Sequence, residues 1–349
     1  RVLNFFSKQK RILVPLLFIV SYLLFYFLID FSTQSLVAHD EGLYARRARL
    51  LEDSNNWFSS PFDSPHHKTL GSYWLIAFSI RIFGYSELAL RLPSIIVSFF
   101  CLFITYLIAL KLTNKKSALL SIFALSSMPL WIQYSRYASP DVLFVSFILL
   151  VILFFLNFLD SNRYWIKCIY VFFSGFFISF AFFIRSYMVF VPLIGLTPFL
   201  IFNLFNTKNS YKAFFSFGLL VGSIPTIFNL YFAYKSFGIE GITALFDFAK
   251  KQSINGFDFR NTLIIPLNYL YFTFPVGILF ILFFFLKKIR NNRNYSLLIY
   301  IYPFISFSIL LCMSTSYPHY YLFLLPSLAI LFSEFFQSNV FRFSFSKKK

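Results

Sequence analysis

The sequence predicts an all-α polytopic membrane protein with about ten transmembrane helices and interfacial helices in its first external loop. Three observations carry this. The 349 residues are 58% hydrophobic and only 13% charged, about half the ~25% with which a soluble domain dresses its surface. Mean hydropathy is +0.71, and the apolar residues come in long runs rather than on alternating faces. The basic residues fall in short clusters between those runs. A soluble globular domain is excluded, and so is a disordered chain, which needs low hydrophobicity. The net charge of +18 therefore signals orientation in a membrane, not a nucleic-acid partner.

A helical span needs about 20 apolar residues. Segments 11–29, 91–110, 117–134, 140–159, 165–183, 187–205, 212–234, 262–286, 295–313 and 318–337 meet that requirement. The first follows Lys8, Lys10 and Arg11, as a signal peptide would. Its apolar stretch is long for that purpose, and Leu36-Val37-Ala38 is a poor cleavage site. With the N-terminus inside, 19 of the 31 Lys and Arg fall on the cytoplasmic side and 11 of the 13 acids outside. An even number of spans returns Lys347-Lys348-Lys349 to the cytoplasm, so both termini are expected there. The expectation is a single transmembrane domain over 1–349, with long external loops at 30–90 and 235–261 and no soluble C-terminal domain. Long loops are usually functional, so the chemistry should lie there. Cys101, Cys168 and Cys312 lie inside apolar segments without paired spacing, which argues against a disulfide framework or a zinc site.

In the first loop, Tyr44, Ala48 and Leu51 recur at i, i+4 and i+7, with Arg46, Arg47 and Arg49 around the other side. This is an amphipathic helix suited to the membrane interface. Asp40 and Glu41 stand at its start, either as an N-cap with an acidic first turn or as a general base held at the surface. His66-His67-Lys68 follows, then an apolar stretch from Tyr73 to Phe83 that is too short to span and is interfacial or re-entrant. Lys68 either snorkels or meets an anion. Asp141, directly after Pro140, opens the fourth span, where an ionised side chain is costly unless partnered; Arg136 is near enough in sequence to pair with it. Arg185 sits between two apolar runs, as an interfacial anchor or a functional cation. In the second loop Lys250, Lys251 and Arg260 either meet a phosphate or belong to a solvated segment, and His319 stands at the mouth of the last span.

Several of these residues follow a family order. Asp40-Glu41, Tyr44-Ala45, Lys68, Tyr73-Trp74-Leu75-Ile76, Phe83-Gly84 and Arg91-Leu92-Pro93 come first, then Ser139-Pro140-Asp141, Arg185 and the run from His319 to Pro326. The pattern resembles the polyprenyl-phosphate-sugar-dependent glycosyltransferases of the GT-C fold, above all the lipid A aminoarabinose transferases and the protein O-mannosyltransferases. It is dense in residues 38–145. The resemblance implies a GT-C membrane enzyme in a bacterial inner membrane with its active site facing the periplasm. It implies transfer of a sugar, with inversion, from a polyprenyl-phosphate donor to a hydroxyl of a lipid, glycan or protein acceptor.

In that reading Lys68 and Arg185 neutralise the departing phosphate. Asp40 takes the acceptor's proton, and Glu41 or Asp141 orients the acceptor or shares charge. Tyr44, His67, Lys251, Arg260 and His319 are further substrate contacts. A single displacement inverts the anomeric carbon, unlike the two-carboxylate retaining hydrolases. This chain departs from the family at His67-Lys68-Thr69-Leu70, where an acid and Lys-Pro-Pro are common, and at Leu43, where the aminoarabinose transferases carry an Arg. The resemblance thus reaches the reaction class rather than the sugar or the acceptor. The sequence makes no cofactor certain. Were a divalent cation used, the oxygen ligands Asp40, Glu41 and Asp141 suit Mg²⁺ or Mn²⁺. A transporter or lipid flippase is the alternative, but that class carries mid-span charges and paired broken helices, whereas these charges crowd one face.

Overall fold

The computed structural model describes residues 15, 17–22, 36, 41–205, 207–254, 259–277, 293–313 and 317–340. Most of the expected first span, 11–29, and part of 262–286 lie outside them. Among the described residues the chain is helical throughout, without a strand. The helices are α1 (Glu41–Asp53), α2 (Gly71–Phe83), α3 (Glu87–Leu112), α4 (Lys115–Ser127), α5 (Pro129–Tyr134), α6 (Asp141–Asp160), α7 (Tyr164–Arg185) and α8 (Phe190–Phe205). They continue with α9 (Asn209–Phe237), α10 (Ile239–Ile254), α11 (Phe259–Phe272), α12 (Tyr302–Leu311) and α13 (Leu325–Val340). Among the described residues, five helical stretches are long and apolar enough to cross a membrane: Glu87–Leu112, Asp141–Asp160, Tyr164–Phe205, Asn209–Phe237 and Arg293–Leu311. The protein is a multi-pass membrane protein.

One expected span is interrupted. Segment 117–134 divides into α4 and α5 because Pro129 follows Met128, which is extended at φ −71° and ψ 127°. A residue before proline is driven out of the helical region. The 42-residue stretch Tyr164–Phe205 is too long for one crossing and turns at Ser186, as the separation of 165–183 from 187–205 anticipates.

Helix ends sort the charges. Arg91 lies near the start of α3 and Asp141 at the start of α6, while Lys111 near the end of α3 pairs with Asp160 at the end of α6 at 2.6 Å. The two helices therefore run parallel, and the return helix α7 brings Arg185 back to the Arg91–Asp141 end. Helix α9 packs on α7 through small residues. A Cβ on Gly218 or Gly222 would run into the carbonyls of Phe172 or Phe176, and one on Gly175 into that of Phe215. Such close backbone approach is how membrane helices associate without a hydrophobic driving force. The other face of α9 exposes Phe217, Leu220, Ile224, Ile227, Phe228, Tyr231 and Tyr234 at helical spacing, a stripe suited to lipid.

The first loop has its own small core. Tyr44, Ala45, Ala48 and Leu51 of α1 are buried against Leu70, Tyr73, Ile76, Ala77 and Ile80, which belong to α2 and the residue before it. The amphipathic pattern thus faces inward on α2, which at 13 residues is about 20 Å long, short of the ~30 Å hydrocarbon core. Trp74 donates its ring N–H to the Trp57 carbonyl at 2.7 Å and fastens the intervening loop over α2.

Candidate active site

Two buried ion pairs flank the loop that joins α5 to α6. In the first, Arg91 meets the Glu41 carboxylate with both prongs: Nε to Oε1 at 3.0 Å and Nη2 to Oε2 at 2.9 Å. The Ala138 backbone N–H adds a third donor to Oε1 at 2.9 Å. Glu41 has no exposed surface, and this pair ties α1, α3 and the loop before α6 together. A carboxylate so engaged is an organiser of the site rather than a base facing an acceptor.

Three residues beyond Ala138, Asp141 forms the second pair, with Arg185 Nη2 at 2.5 Å. Proline at 140 leads directly into α6, and Asp141 in the first turn gains from the helix dipole. Arg185, buried at the end of α7, also donates from Nη1 to the Tyr44 hydroxyl at 3.0 Å. Lys68 Nζ reaches the same hydroxyl at 2.8 Å and lies over the Tyr44 ring at 4.6 Å from its centre. Two cations thus converge on one phenolic oxygen. Their nitrogens are less than about 6 Å apart, where like charges repel by about 3 kcal/mol at an effective dielectric near 20. The buried Arg185 Nε finds no hydrogen-bond acceptor among the described residues.

Beside this pair, Tyr73 OH accepts from Arg47 Nη1 at 3.2 Å and stands 2.7 Å from His66 Nε2. Arginine only donates, so Tyr73 accepts from Arg47, while the His66 contact runs in the direction its tautomer sets. Burial, followed by the nearby Arg47, His67 and Lys68, pushes His66 down to about 2. Burial, then Lys68 and Arg47, pushes His67 down to about 4. Burial likewise raises the Tyr73 phenol. The positive field that depresses both histidines is the field an anion would meet.

His319 stands on the other side, 3.3 Å from the Tyr134 hydroxyl through Nδ1. Its ring contacts Tyr320, and both Tyr134 and Tyr320 lie within electrostatic reach of Arg185. Asp40 lies outside the described residues, as do the side chains of Lys251 and Arg260; Lys250 is exposed on α10. As for a divalent cation, Glu41 and Asp141 each already face an arginine, and the described residues hold no group of three His, Cys, Asp or Glu side chains placed for an ion.

The structure thus gathers Glu41, Tyr44, Lys68, Asp141 and Arg185, with His67 and His319 at the edges. Sequence reasoning named Arg91 only as part of a motif and missed Arg47, Ser186 and Asn229 as organisers. An arginine or asparagine inside an apolar run is the signal that points to Arg91 and Asn229.

Residues 67–232 match the family described as dolichyl-phosphate-mannose-protein mannosyltransferase, a stretch that holds Lys68, Arg91, Asp141 and Arg185. The chain is 31% identical over 147 residues to an uncharacterized protein of Aquifex aeolicus, across 41% of this chain and 28% of that one. It is 26% identical over 193 residues to the undecaprenyl phosphate-alpha-4-amino-4-deoxy-L-arabinose arabinosyl transferase of Shewanella sediminis, across 54% and 34%. Its structure superposes on ArnT from Cupriavidus metallidurans bound to undecaprenyl phosphate with a TM-score of 0.78 at 16% identity, covering 91% of this chain and 59% of that one. The chain has the GT-C fold of membrane glycosyltransferases. A second structure of similar fold, the oligosaccharyltransferase of Archaeoglobus fulgidus, superposes with a TM-score of 0.51 at 13% identity, covering 93% of this chain and 50% of that one. This GT-C chain spans about a third of the length of the curated relatives it matches.

Proposed function

We propose that this GT-C chain is a glycosyltransferase that moves a sugar, with inversion, from a polyprenyl-phosphate donor to a hydroxyl of a lipid, glycan or protein acceptor. The observation that carries the reading is the meeting of Lys68 Nζ and Arg185 Nη1 on the Tyr44 hydroxyl. Lys68 stands beside a buried Arg185 whose Nε has no acceptor among the described residues, and a phosphate oxygen there would meet charged donors from both side chains. The binding of undecaprenyl phosphate by ArnT supports the same donor class.

In the reaction, the bond between the anomeric carbon and the donor phosphate oxygen breaks as the acceptor oxygen attacks from the opposite side. Charge grows on the leaving phosphate, and Lys68 and Arg185 stabilise it where it develops. Asp141 holds the Arg185 fork in place. Asp40, adjacent to the anchored Glu41, accepts the proton of the acceptor hydroxyl. In this reading the chain crosses the inner membrane ten times, with residues 30–90 in the periplasm and residues 287–294 and both termini in the cytoplasm.

The purified chain, reconstituted in vesicles with a polyprenyl-phosphate-linked sugar and an acceptor lipid, is expected to release polyprenyl phosphate and glycosylate the acceptor. Movement of the intact lipid-linked sugar across the bilayer without bond cleavage would establish the transporter reading instead. For the topology, single cysteines replace Ser59 and Asn292 in intact spheroplasts exposed to an impermeant thiol reagent. Labelling at 59 and protection at 292 is expected, and the reverse pattern contradicts the orientation.

A further inference from the structure

The residue after Arg185 is buried Ser186, with φ +48° and ψ −134°. A side chain with a Cβ is strained there, and glycine would be at ease. A reversal between α7 and α8 explains why the backbone turns at this point, but a glycine would turn it as well. What serine adds is Oγ. It accepts the Thr69 backbone N–H at 3.2 Å and lies 3.1 Å from Thr69 Oγ1. Thr69 is the residue after Lys68. One side-chain contact therefore joins the immediate neighbours of the two cations, residues that stand 117 positions apart in the chain.

The surroundings hold this contact in register. Ser72 Oγ donates to the Ile184 carbonyl at 2.6 Å, on one side of Arg185 and Ser186. Gly71 packs so closely on Phe183 that a Cβ would collide with its carbonyl and ring. The Leu70 N–H donates to Asn229 Oδ1 on α9 at 3.3 Å. Four consecutive residues, 69–72, are thus fastened to the end of α7 and to α9, and Lys68 is carried on the end of that strip. Lysine has a long flexible stem and is repelled by Arg185, so its placement depends on the backbone that bears it.

We infer that Ser186 is a positioning residue that sets the separation of Lys68 and Arg185 for one phosphate, and that this is why a strained serine stands where glycine would be relaxed. The inference rests on the assignment of those two cations to the donor phosphate. Its distinctive consequence is that replacing the serine by glycine removes the strained Cβ and the hydroxyl together, so stability holds or rises while ligand affinity falls.

The test uses the full chain in detergent, with undecaprenyl phosphate as the probe and thermal unfolding as the second readout. Ser186→Gly should unfold at the same or a higher temperature and bind the probe about 5- to 10-fold more weakly, the worth of one lost hydrogen bond. Ser186→Ala, which keeps the strain, should lose affinity similarly without gaining stability. In a Lys68→Ala background, Ser186→Gly should change binding by less than about twofold, because the serine acts through the lysine. Wild-type affinity in Ser186→Gly, a parallel fall of melting temperature and affinity in both serine variants, or a full additional loss on top of Lys68→Ala would each overturn the inference. Should Lys68→Ala and Arg185→Ala both bind the probe normally, the donor-site assignment itself fails and takes this inference with it. That outcome is distinct from a failure confined to the serine variants.

Discussion

The Glu41–Arg91 and Asp141–Arg185 pairs are both buried, both link distant helices, and stand on either side of a six-residue loop, yet they are built for different ends. Glu41 takes three donors, two from one fork and one from the backbone. Asp141 meets its arginine through Nη2, while that arginine spends Nη1 on Tyr44 beside a second cation and leaves Nε without an acceptor among the described residues. A closed pair stabilises a fold, whereas an incompletely satisfied one is ready for a ligand. Buried charge alone does not mark an active site; incomplete compensation does.

The largest effect should come from breaking the closed pair. Glu41→Ala leaves Arg91 buried without its partner and should cost about 3–5 kcal/mol, seen as a large drop in melting temperature in detergent that undecaprenyl phosphate does not restore. A mild shift would place Glu41 with the ligand-facing groups instead. Asp40→Asn sharpens the same contrast between adjacent acids. Asparagine caps a helix as well as aspartate, so folding should survive while transfer falls at least about 100-fold, the lower end for a general base. Near-normal turnover would return Asp40 to a capping role.

Breaking the open pair should be milder and reversible by ligand. Asp141→Asn should cost about 1–3 kcal/mol in the absence of ligand, since the neutral amide still offers an acceptor to Arg185. Saturating undecaprenyl phosphate should raise its melting temperature more than that of the wild type, because the phosphate supplies the missing negative charge. Equal shifts in both proteins would mean that the phosphate does not sit at Arg185.

A pH dependence should also appear. His66 and His67 are held neutral, at about 2 and about 4, against an unfolded value of 6.5. The unfolded state therefore binds more protons below pH 6.5, and their contribution to stability is complete above that value. It should fall as pH drops from 6.5 toward 4. His67→Gln should flatten part of that slope in melting curves taken across this range. An unchanged slope would indicate that the His67 ring is exposed and charged.

Much of the architecture was legible in the sequence because lipid imposes a coarse rule, a run of about 20 apolar residues for each crossing. The inward face of α1, with Tyr44, Ala48 and Leu51, was legible from helical periodicity. The break at Met128–Pro129 was missed although proline announces it, because the run on either side remains apolar. Pairings were the harder part. Nothing local to Glu41 says that its partner lies 50 residues away, and Asp141 was matched with its neighbour Arg136 rather than with Arg185. Periodicity reports which face a residue occupies; it is silent on which helix meets that face. The role of Ser186 depends on a backbone angle, which no sequence pattern carries.

The central claim is that Lys68 and Arg185 hold the donor phosphate, and binding of undecaprenyl phosphate to the full chain in detergent tests it most directly. Lys68→Ala and Arg185→Ala are compared with Arg81→Ala, which removes an exposed cation at the far end of α2. One charged hydrogen bond is worth about 1.5–3 kcal/mol, so each of the first two should bind about 10- to 150-fold more weakly while Arg81→Ala binds like the wild type. Equal binding by all three variants would contradict the account and move the phosphate site away from Tyr44.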